Sequence, residues 1–299
     1  MEGNVRGIVV GYDASPGSET ALMWAADAAK RQGRPLTVLH SGEPAAFPVE
    51  PAYSAERLAE DLAEVSHGIL QDGVDKAATV LDRSEISAVS VDLTPAAALV
   101  EASEKADFVV TGSRGRGRVA GGLLGSVSYA VTAHARCPAI VVRGETPVHP
   151  DADHKVVIGV DDSLPSQRAL EVAADVAARS GAGLHVVRVG HLVSAPGWAY
   201  AESEKGGTRH SRSVTDEAQR TLDAAKEQVS RSHPDLPLET EILYGDPGDV
   251  LTTLGAKAGL IVVGSRGRGG FAGLLLGSVS HKVIHRAECP VMVVRGLEE

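Results

Sequence analysis

Cysteine is scarce. Two in 299 residues give no disulfide framework and are read as too few ligands for a structural zinc site. Aromatic residues make up only 3% of the chain, too few for a base-stacking platform on single-stranded nucleic acid. Basic residues are outnumbered, 29 against 39 acidic, for a formal net charge of -10, which works against nonspecific nucleic-acid binding because that binding runs on a positive surface. No apolar run approaches the ~18 residues of a membrane span, and Met1 to Gly11 lacks the apolar segment of a signal peptide. Nowhere does Gly-Lys occur, so there is no Walker A loop, and no Gly-x-Ser-x-Gly nucleophile elbow is present. These absences lead us to expect a soluble protein of the reducing cytoplasm with no membrane or nucleic-acid partner. What is abundant is glycine, with 33 residues, in a chain otherwise of ordinary globular composition at 43% hydrophobic and 23% charged.

The chain is written twice. Residues Val110–Gly144 (VTGSRGRGRVAGGLLGSVSYAVTAHARCPAIVVRG) align without gaps with Val262–Gly296 (VVGSRGRGGFAGLLLGSVSHKVIHRAECPVMVVRG), with 23 of 35 positions identical. Near the amino terminus, GIVVGYDASPGSETALMWAADAAK matches KVVIGVDDSLPSQRALEVAADVAA. The offset is 148 there and 152 in the later block, so the middle of the second copy is four residues longer. The sequence therefore predicts two tandem domains, 1–145 and 153–299, joined by the proline-containing linker Glu145–His154.

Each copy alternates strand and helix. In the first, strands are predicted at Gly7–Tyr12, Leu36–His40, Ile86–Asp92, Phe108–Thr111 and Pro138–Val142. An alanine-rich helix runs to Gln32. A charged one covers Ala55–Lys76, with Leu58, Leu62, Val65 and Ile69 spaced for a buried face. Thr94-Pro95 opens a third and Ser126–His134 forms a fourth. Continuous apolar strands separated by helices specify an α/β fold, a doubly wound parallel sheet covered on both faces. The last strand, starting at a proline, suits an edge. Its run AIVV invites edge pairing, between the two copies or between two chains of a homodimer, unless charge or a loop shields it.

In doubly wound sheets ligands bind beyond the carboxyl ends of the strands, where strand order reverses. The notable residues fall at such ends. Strand one ends at Asp13, and at Asp161 in the second copy. Strand four runs into Gly112-Ser113-Arg114-Gly115, and into Gly264-Ser265-Arg266-Gly267. Gly125-Ser126 and Gly277-Ser278 then open a helix. Glycines let the backbone approach a phosphate and present N–H groups as an anion nest. A helix N-terminus adds donors and partial positive charge, and Ser126 and Ser278 are placed to cap it and to donate to a phosphate. Arg114, Arg116, Arg266 and Arg268 flank the glycines, as phosphate forks or as solvated loop charge. The plain alternative is a glycine-rich loop with a serine cap and no ligand.

The spacing Gly, two residues, Gly, nine residues, Gly-Ser occurs in full as Gly112/Gly115/Gly125-Ser126 and as Gly264/Gly267/Gly277-Ser278. It resembles the ATP-binding signature of the universal stress protein family, in its tandem two-domain actinobacterial form. The resemblance implies five strands per domain in the order 3-2-1-4-5, with ATP, with or without Mg, held across strands one and four. It implies that Asp13 and Asp161 contact the ribose or adenine side and that the main chain at Ser41 and Val189 holds adenine. Thr111 and Val263 would line that pocket. The glycines, Ser126 and Ser278 would hold ribose and phosphates, helped by Val127 and Val279. Ser41 departs from the apolar residue usual there, and the longer second middle segment, with Glu202–Ser213 rich in Gly, Ser and charge, is expected to cover its pocket or to be mobile.

Other readings carry less. Gly115-x-Gly117-x-x-Ala120 and Gly267-x-Gly269-x-x-Ala272 match a dinucleotide fingerprint only formally, since the helix starts later and no acid ends the next strand. His281 and His285 have metal-like i, i+4 spacing, but Tyr129 and Ala133 stand there in the first copy. Cys137 and Cys289 read as small core residues. The function expected is a regulatory, stress-response ATP-binding module with little hydrolysis. The alternatives are a slow Mg-dependent ATPase or phosphotransferase using Asp13 and Asp161, and a nucleotide-free scaffold.

Overall fold

The apolar runs IVVG, FVVTG and AIVV in the first half, and VVIG, LIVVG and VMVV in the second, are buried along almost their whole length, as strands covered on both faces must be. In a computed structural model of the chain, which describes residues 5–42, 55–113, 124–144, 146–190, 206–267 and 275–296, they form the centre of two parallel sheets. The chain divides into two compact units, Met1–His149 and Pro150–Glu299.

The first unit runs β1 (Ile8–Gly11), α1 (Pro16–Gln32), β2 (Leu36–Ser41), α2 (Ala55–Ala77), a 3-10 turn (Arg83–Glu85), β3 (Ile86–Val91), α3 (Pro95–Ala102), β4 (Phe108–Gly112), α4 (Ser126–His134) and β5 (Ala139–Val142). All pairings are parallel. Ile8 lies beside Leu36 on one side and Phe108 on the other, Leu36 beside Ile86, and Val109 beside Ala139. The order is 3-2-1-4-5, reversing between β1 and β4. The second unit repeats it with β6 (Val156–Gly159), α5 (Leu164–Ser180), β7 (Leu184–Gly190), α6 (Gly206–Ser232), β8 (Leu238–Tyr244), α7 (Pro247–Gly255), β9 (Leu260–Gly264), α8 (Ser278–Arg286) and β10 (Val291–Val294). Val156 lies between Leu184 and Leu260, Leu184 beside Leu238, and Val291 beside Ile261.

Local signals set the helix ends. Ser15 caps α1 and Ser163 caps α5, each accepting from the N–H three residues on, with a proline in the first turn. Both helices stop at a left-handed glycine, Gly33 (φ 61) and Gly181 (φ 67), in Schellman-type turns. Under α3 and α4 the first unit buries Val9, Leu39, Val89, Leu99, Val109 and Val131 as one core cluster; truncating a residue such as Leu99 there costs about 2–5 kcal/mol.

Two expectations are corrected. On α2, Val65 is 58% exposed and Leu62 and Ile69 are only half-buried. The buried line runs instead through Ser66, Leu70, Gly73 and Ala77, positions that follow one another at i, i+4, i+7 and i+11. Reading by apolar type alone passed over the small residues, and one of them is needed: a Cβ on Gly73 would stand 2.8 Å from the Tyr12 ring. Leu58 lies outside the residues whose side chains are described. In the second copy, residues 206–213 of the segment expected to cover the pocket or to be mobile belong to α6, which begins at Gly206. No proline interrupts the sequence between Pro196 and Pro234, so a helix continues through it. The linker residues Val148 and His149 pack on the first unit: the Trp24 indole donates to the Val148 carbonyl at 3.3 Å and stacks on His149 at 5.0 Å.

Candidate functional site

At the end of β1 the chain closes a small polar knot, repeated at the end of β6. Asp13 accepts, through Oδ1, from the Ser15 N–H at 3.0 Å and the Ser15 hydroxyl at 2.6 Å. Asp161 does the same with Ser163 at 3.0 and 2.5 Å. The aspartate's own N–H donates to the next serine of the helix, Ser18 Oγ at 3.2 Å or Ser166 Oγ at 2.9 Å. The two serines of Asp-x-Ser-x-x-Ser thus cap the helix and fix the carboxylate at its positive end. They were not singled out from the sequence, although the pattern stands in both copies and could have found them. Asp161 Oδ2 abuts the glycine loop, since a Cβ on Gly267 would lie 2.4 Å from it.

Beyond β4 and β9 the loops are tied down by main chain. The Ser113 N–H donates to Val142 at 2.9 Å, and Ser265 to Val294 at 2.8 Å. Their carbonyls accept from the Gly125 and Gly277 N–H groups at 3.0 and 2.7 Å. Gly125 and Gly277, not the serines, are the helix caps, and neither makes a side-chain cap bond. Ser126 and Ser278 are the exposed first residues of α4 and α8, and Val127 and Val279 follow in the first turn. The expected serine cap is corrected because an N-cap residue must be extended, and the glycines have that geometry (φ -65, ψ 150 and φ -75, ψ 162). One turn on, the hydroxyls of Ser128 and Ser280 donate to the carbonyls of Gly112 and Gly264 at 2.6 and 2.7 Å. Gly264 serves packing: its Cβ would stand 3.1 Å from the Pro165 carbonyl carbon. Gly115, Arg114, Arg116 and Arg268 lie outside the described residues.

The other wall is less uniform. The Ser41 hydroxyl turns to the Leu93 carbonyl. Val189 is buried, and its carbonyl accepts from Arg188 Nη1 at 2.7 Å. Thr111 is buried with no hydrogen-bond partner for Oγ1 among the described residues, whereas its counterpart Val263 is simply apolar. An unsatisfied buried hydroxyl is costly and points to a missing polar partner.

Beside the first knot lies a charged cluster that the sequence analysis missed, whose only linear sign is Asp72 and Lys76 at i, i+4. The buried Tyr12 hydroxyl donates to Asp72, and Lys76 reaches Tyr12 at 3.2 Å, Glu19 at 2.9 Å and Asp72 at 3.1 Å. Burial, then the Asp72 bond, pushes the Tyr12 pKa up. The Tyr12 hydroxyl holds the Asp72 carboxyl below its usual range, and Glu19, then Tyr12, push the Lys76 ammonium well above its own. The second unit has Val160 in place of Tyr12, and there Thr221 donates to Asp162 at 2.6 Å.

The remaining candidates are structural. Cys289 is buried, which pushes its thiol up to about 12; Cys137 is half-buried. The His281 and His285 rings lie 4.3 Å apart on α8. A groove of about 560 Å³ lies against α1, lined by Ala14, Pro16, Met23, Trp24, Pro147 and His149 among others. No helix of the described residues is long and apolar enough to cross a membrane.

The sequence profile of the universal stress protein family matches residues 4–143 and again 154–295. A universal stress protein of Mycobacterium tuberculosis is 35% identical over 296 residues, spanning 97% of this chain and 97% of its own. One of Mycolicibacterium smegmatis is 34% identical over 301 residues, with the same coverage of both. Among solved structures, a universal stress protein from Archaeoglobus fulgidus shares the fold at a TM-score of 0.69 and 23% identity, covering 98% of this chain and 99% of that one.

Proposed function

This chain belongs to the universal stress protein family, and from that premise we propose that it is a regulatory module binding ATP, one molecule in each domain, with little or slow hydrolysis. The observation that carries the reading is the duplicated helix start: α4 and α8 open on a glycine cap that spends no side chain on the leading N–H groups. Those groups, the helix dipole and the exposed hydroxyls of Ser126 and Ser278 form a cradle for a polyanion. The reversal of strand order between β1 and β4, and between β6 and β9, provides the crevice beside it. The Thr111 hydroxyl, without a hydrogen-bond partner among the described residues, adds a polar group on the first crevice wall.

ATP would supply the phosphates for this cradle, with Gly112, Gly115, Gly125, Val127 and their counterparts Gly264, Gly267, Gly277 and Val279 lending backbone, and Ser41, Val189, Thr111 and Val263 facing the base. Asp13 and Asp161 act as fixed ribose or base contacts. Their Oδ1 atoms are held by Ser15 and Ser163, a geometry suited to positioning and poorly suited to abstracting a proton, which disfavours the ATPase alternative. We propose further that the last strand of each domain, apolar at all four positions, mediates association between domains or chains; sedimentation of the full chain measures the oligomer.

Mass spectrometry of small molecules released on denaturing the purified protein tests the ligand. ATP or ADP in the release supports the reading, and a clean protein that also shows no thermal shift with added ATP supports the scaffold instead. Single-turnover hydrolysis well above background, lost in Asp13→Asn with Asp161→Asn, would assign the enzyme.

A further inference from the structure

At the opposite end of the second sheet, three side chains absent from the first domain converge. His185 is the second residue of β7 and pairs directly with Glu239 on β8, and Glu241 follows two residues on, on the same face. One ligand atom from each of the three lies within 4.8 Å of the others. His185 is 8% exposed. Its Nε2 lies 3.2 Å from Glu241 Oε2, but off the hydrogen-bonding direction, so this nitrogen is buried without a hydrogen-bond partner among the described residues. A buried imidazole nitrogen is normally satisfied. Here it lies beside two carboxylates whose side chains are 51% and 44% exposed, an open path for an ion.

We propose that His185, Glu239 and Glu241 form a binding site for a divalent first-row transition cation, zinc foremost. One imidazole and two carboxylates suit such ions better than magnesium or calcium, which favour all-oxygen shells. Bonds of 2.0–2.1 Å in a tetrahedron put ligand atoms about 3.3 Å apart, close to the separation of His185 Nε2 and Glu241 Oε2; Glu239 closes the third position by a side-chain rotation. Water takes the fourth. Lys155 Nζ, 2.5 Å from Glu239 Oε2, competes for that carboxylate. The corresponding residues of the first domain are Thr37, Ser87 and Val89. Thr37 spends its hydroxyl on the Arg6 carbonyl at 3.0 Å, so that domain holds no such site. Four residue steps along β7 separate His185 from Val189, about 13 Å, so the proposal stands independently of nucleotide binding.

The test is calorimetric titration of the full chain with zinc chloride alone. One ion per chain is expected, with His185→Gln and Glu241→Gln each weakening binding at least ten-fold and Lys155→Met tightening it. Cobalt(II) as a second probe is expected to give visible absorption bands that Glu241→Gln abolishes. Should His185→Gln disturb the fold, Glu241→Gln at the exposed edge strand decides alone. Absence of zinc binding to the wild type overturns the site. So does undiminished affinity in Glu241→Gln, which would locate the ion elsewhere.

Discussion

The two domains share a sheet order, a capping knot and a glycine-opened helix, yet differ beside strands one and two. In the first, Tyr12 enters a space made by Gly73 and anchors the ionic cluster of Asp72, Lys76 and Glu19. In the second, Val160 stands in its place, with Ala225 and Gln228 at the positions of Gly73 and Lys76 by the offset of 152. The ends of strands one and four are therefore alike in the two domains, while the packing behind them differs. The difference teaches which features belong to the site and which to one domain's stability.

The sharpest asymmetry is Gly7. Its φ is +65, and a Cβ there would lie 2.1 Å from the Pro35 carbonyl oxygen. Lys155 occupies the same place in the second domain. Gly7→Ala is expected to destabilise the first domain by about 3 kcal/mol or more, read by hydrogen exchange peptide by peptide. Lys155→Ala should cost no more than about 1 kcal/mol, the worth of an exposed ion pair. Comparable losses in both would break the comparison.

The knots should behave alike. Ser15→Ala and Ser163→Ala each remove a helix cap and a hydrogen bond to the aspartate, at a cost of about 1–2 kcal/mol in their own domain. A loss in only one domain would mean that the shared pattern is not shared in function.

Tyr12→Phe tests what is private to the first domain, at about 1 kcal/mol for the lost hydroxyl. It also has a pH signature. Tyr12 and Lys76 both have folded pKa values raised above their ordinary ones. Their contribution is complete below about pH 10, near the unfolded values, and is lost as pH rises through the folded ones. Tyr12→Phe should therefore flatten the alkaline loss of stability in the first domain. The second keeps its own loss through Lys282, raised by Asp249 and then Asp246. An unchanged alkaline limb in the variant would remove the cluster from the account.

The smallest effect is expected at Ala14, which sits at φ 59, a left-handed conformation that side chains resist. Among the described residues no other non-glycine does so, and Asp162 replaces it in the second knot. Ala14→Gly should stabilise the first domain by about 0.5 kcal/mol, strain relief exceeding the entropy lost, and a thermal melt detects the sign.

Much of this was legible in the residues. Continuous apolar runs announced the parallel strands, Thr94-Pro95 a helix start, and the repeat the existence of two domains. Strand limits differed by a residue, as at Tyr12 and Pro138, because pairing rather than hydropathy ends a strand. What stayed hidden was relational. That Asp13 is held by Ser15 and Ser18 is a local pattern readable in principle. That Tyr12 meets Lys76, or His185 meets Glu239 and Glu241, depends on which positions the sheet brings together across 54 residues or more. Exposure of Val65 was missed because small residues, not large apolar ones, define the close face of α2.

The central claim is that each domain holds one nucleotide at its glycine-capped helix, and native mass spectrometry of the full chain titrated with ATP tests it most directly. A Cβ on Gly277 meets Arg266 and Ser265 backbone only at ordinary contact, 3.5 Å, so Gly277→Ala keeps the fold while narrowing the second cradle. The account predicts two ATP molecules per wild-type chain, bound with unequal affinity, and one in Gly277→Ala. A wild-type chain that binds none, or a variant that still binds two with unchanged affinity, would contradict it.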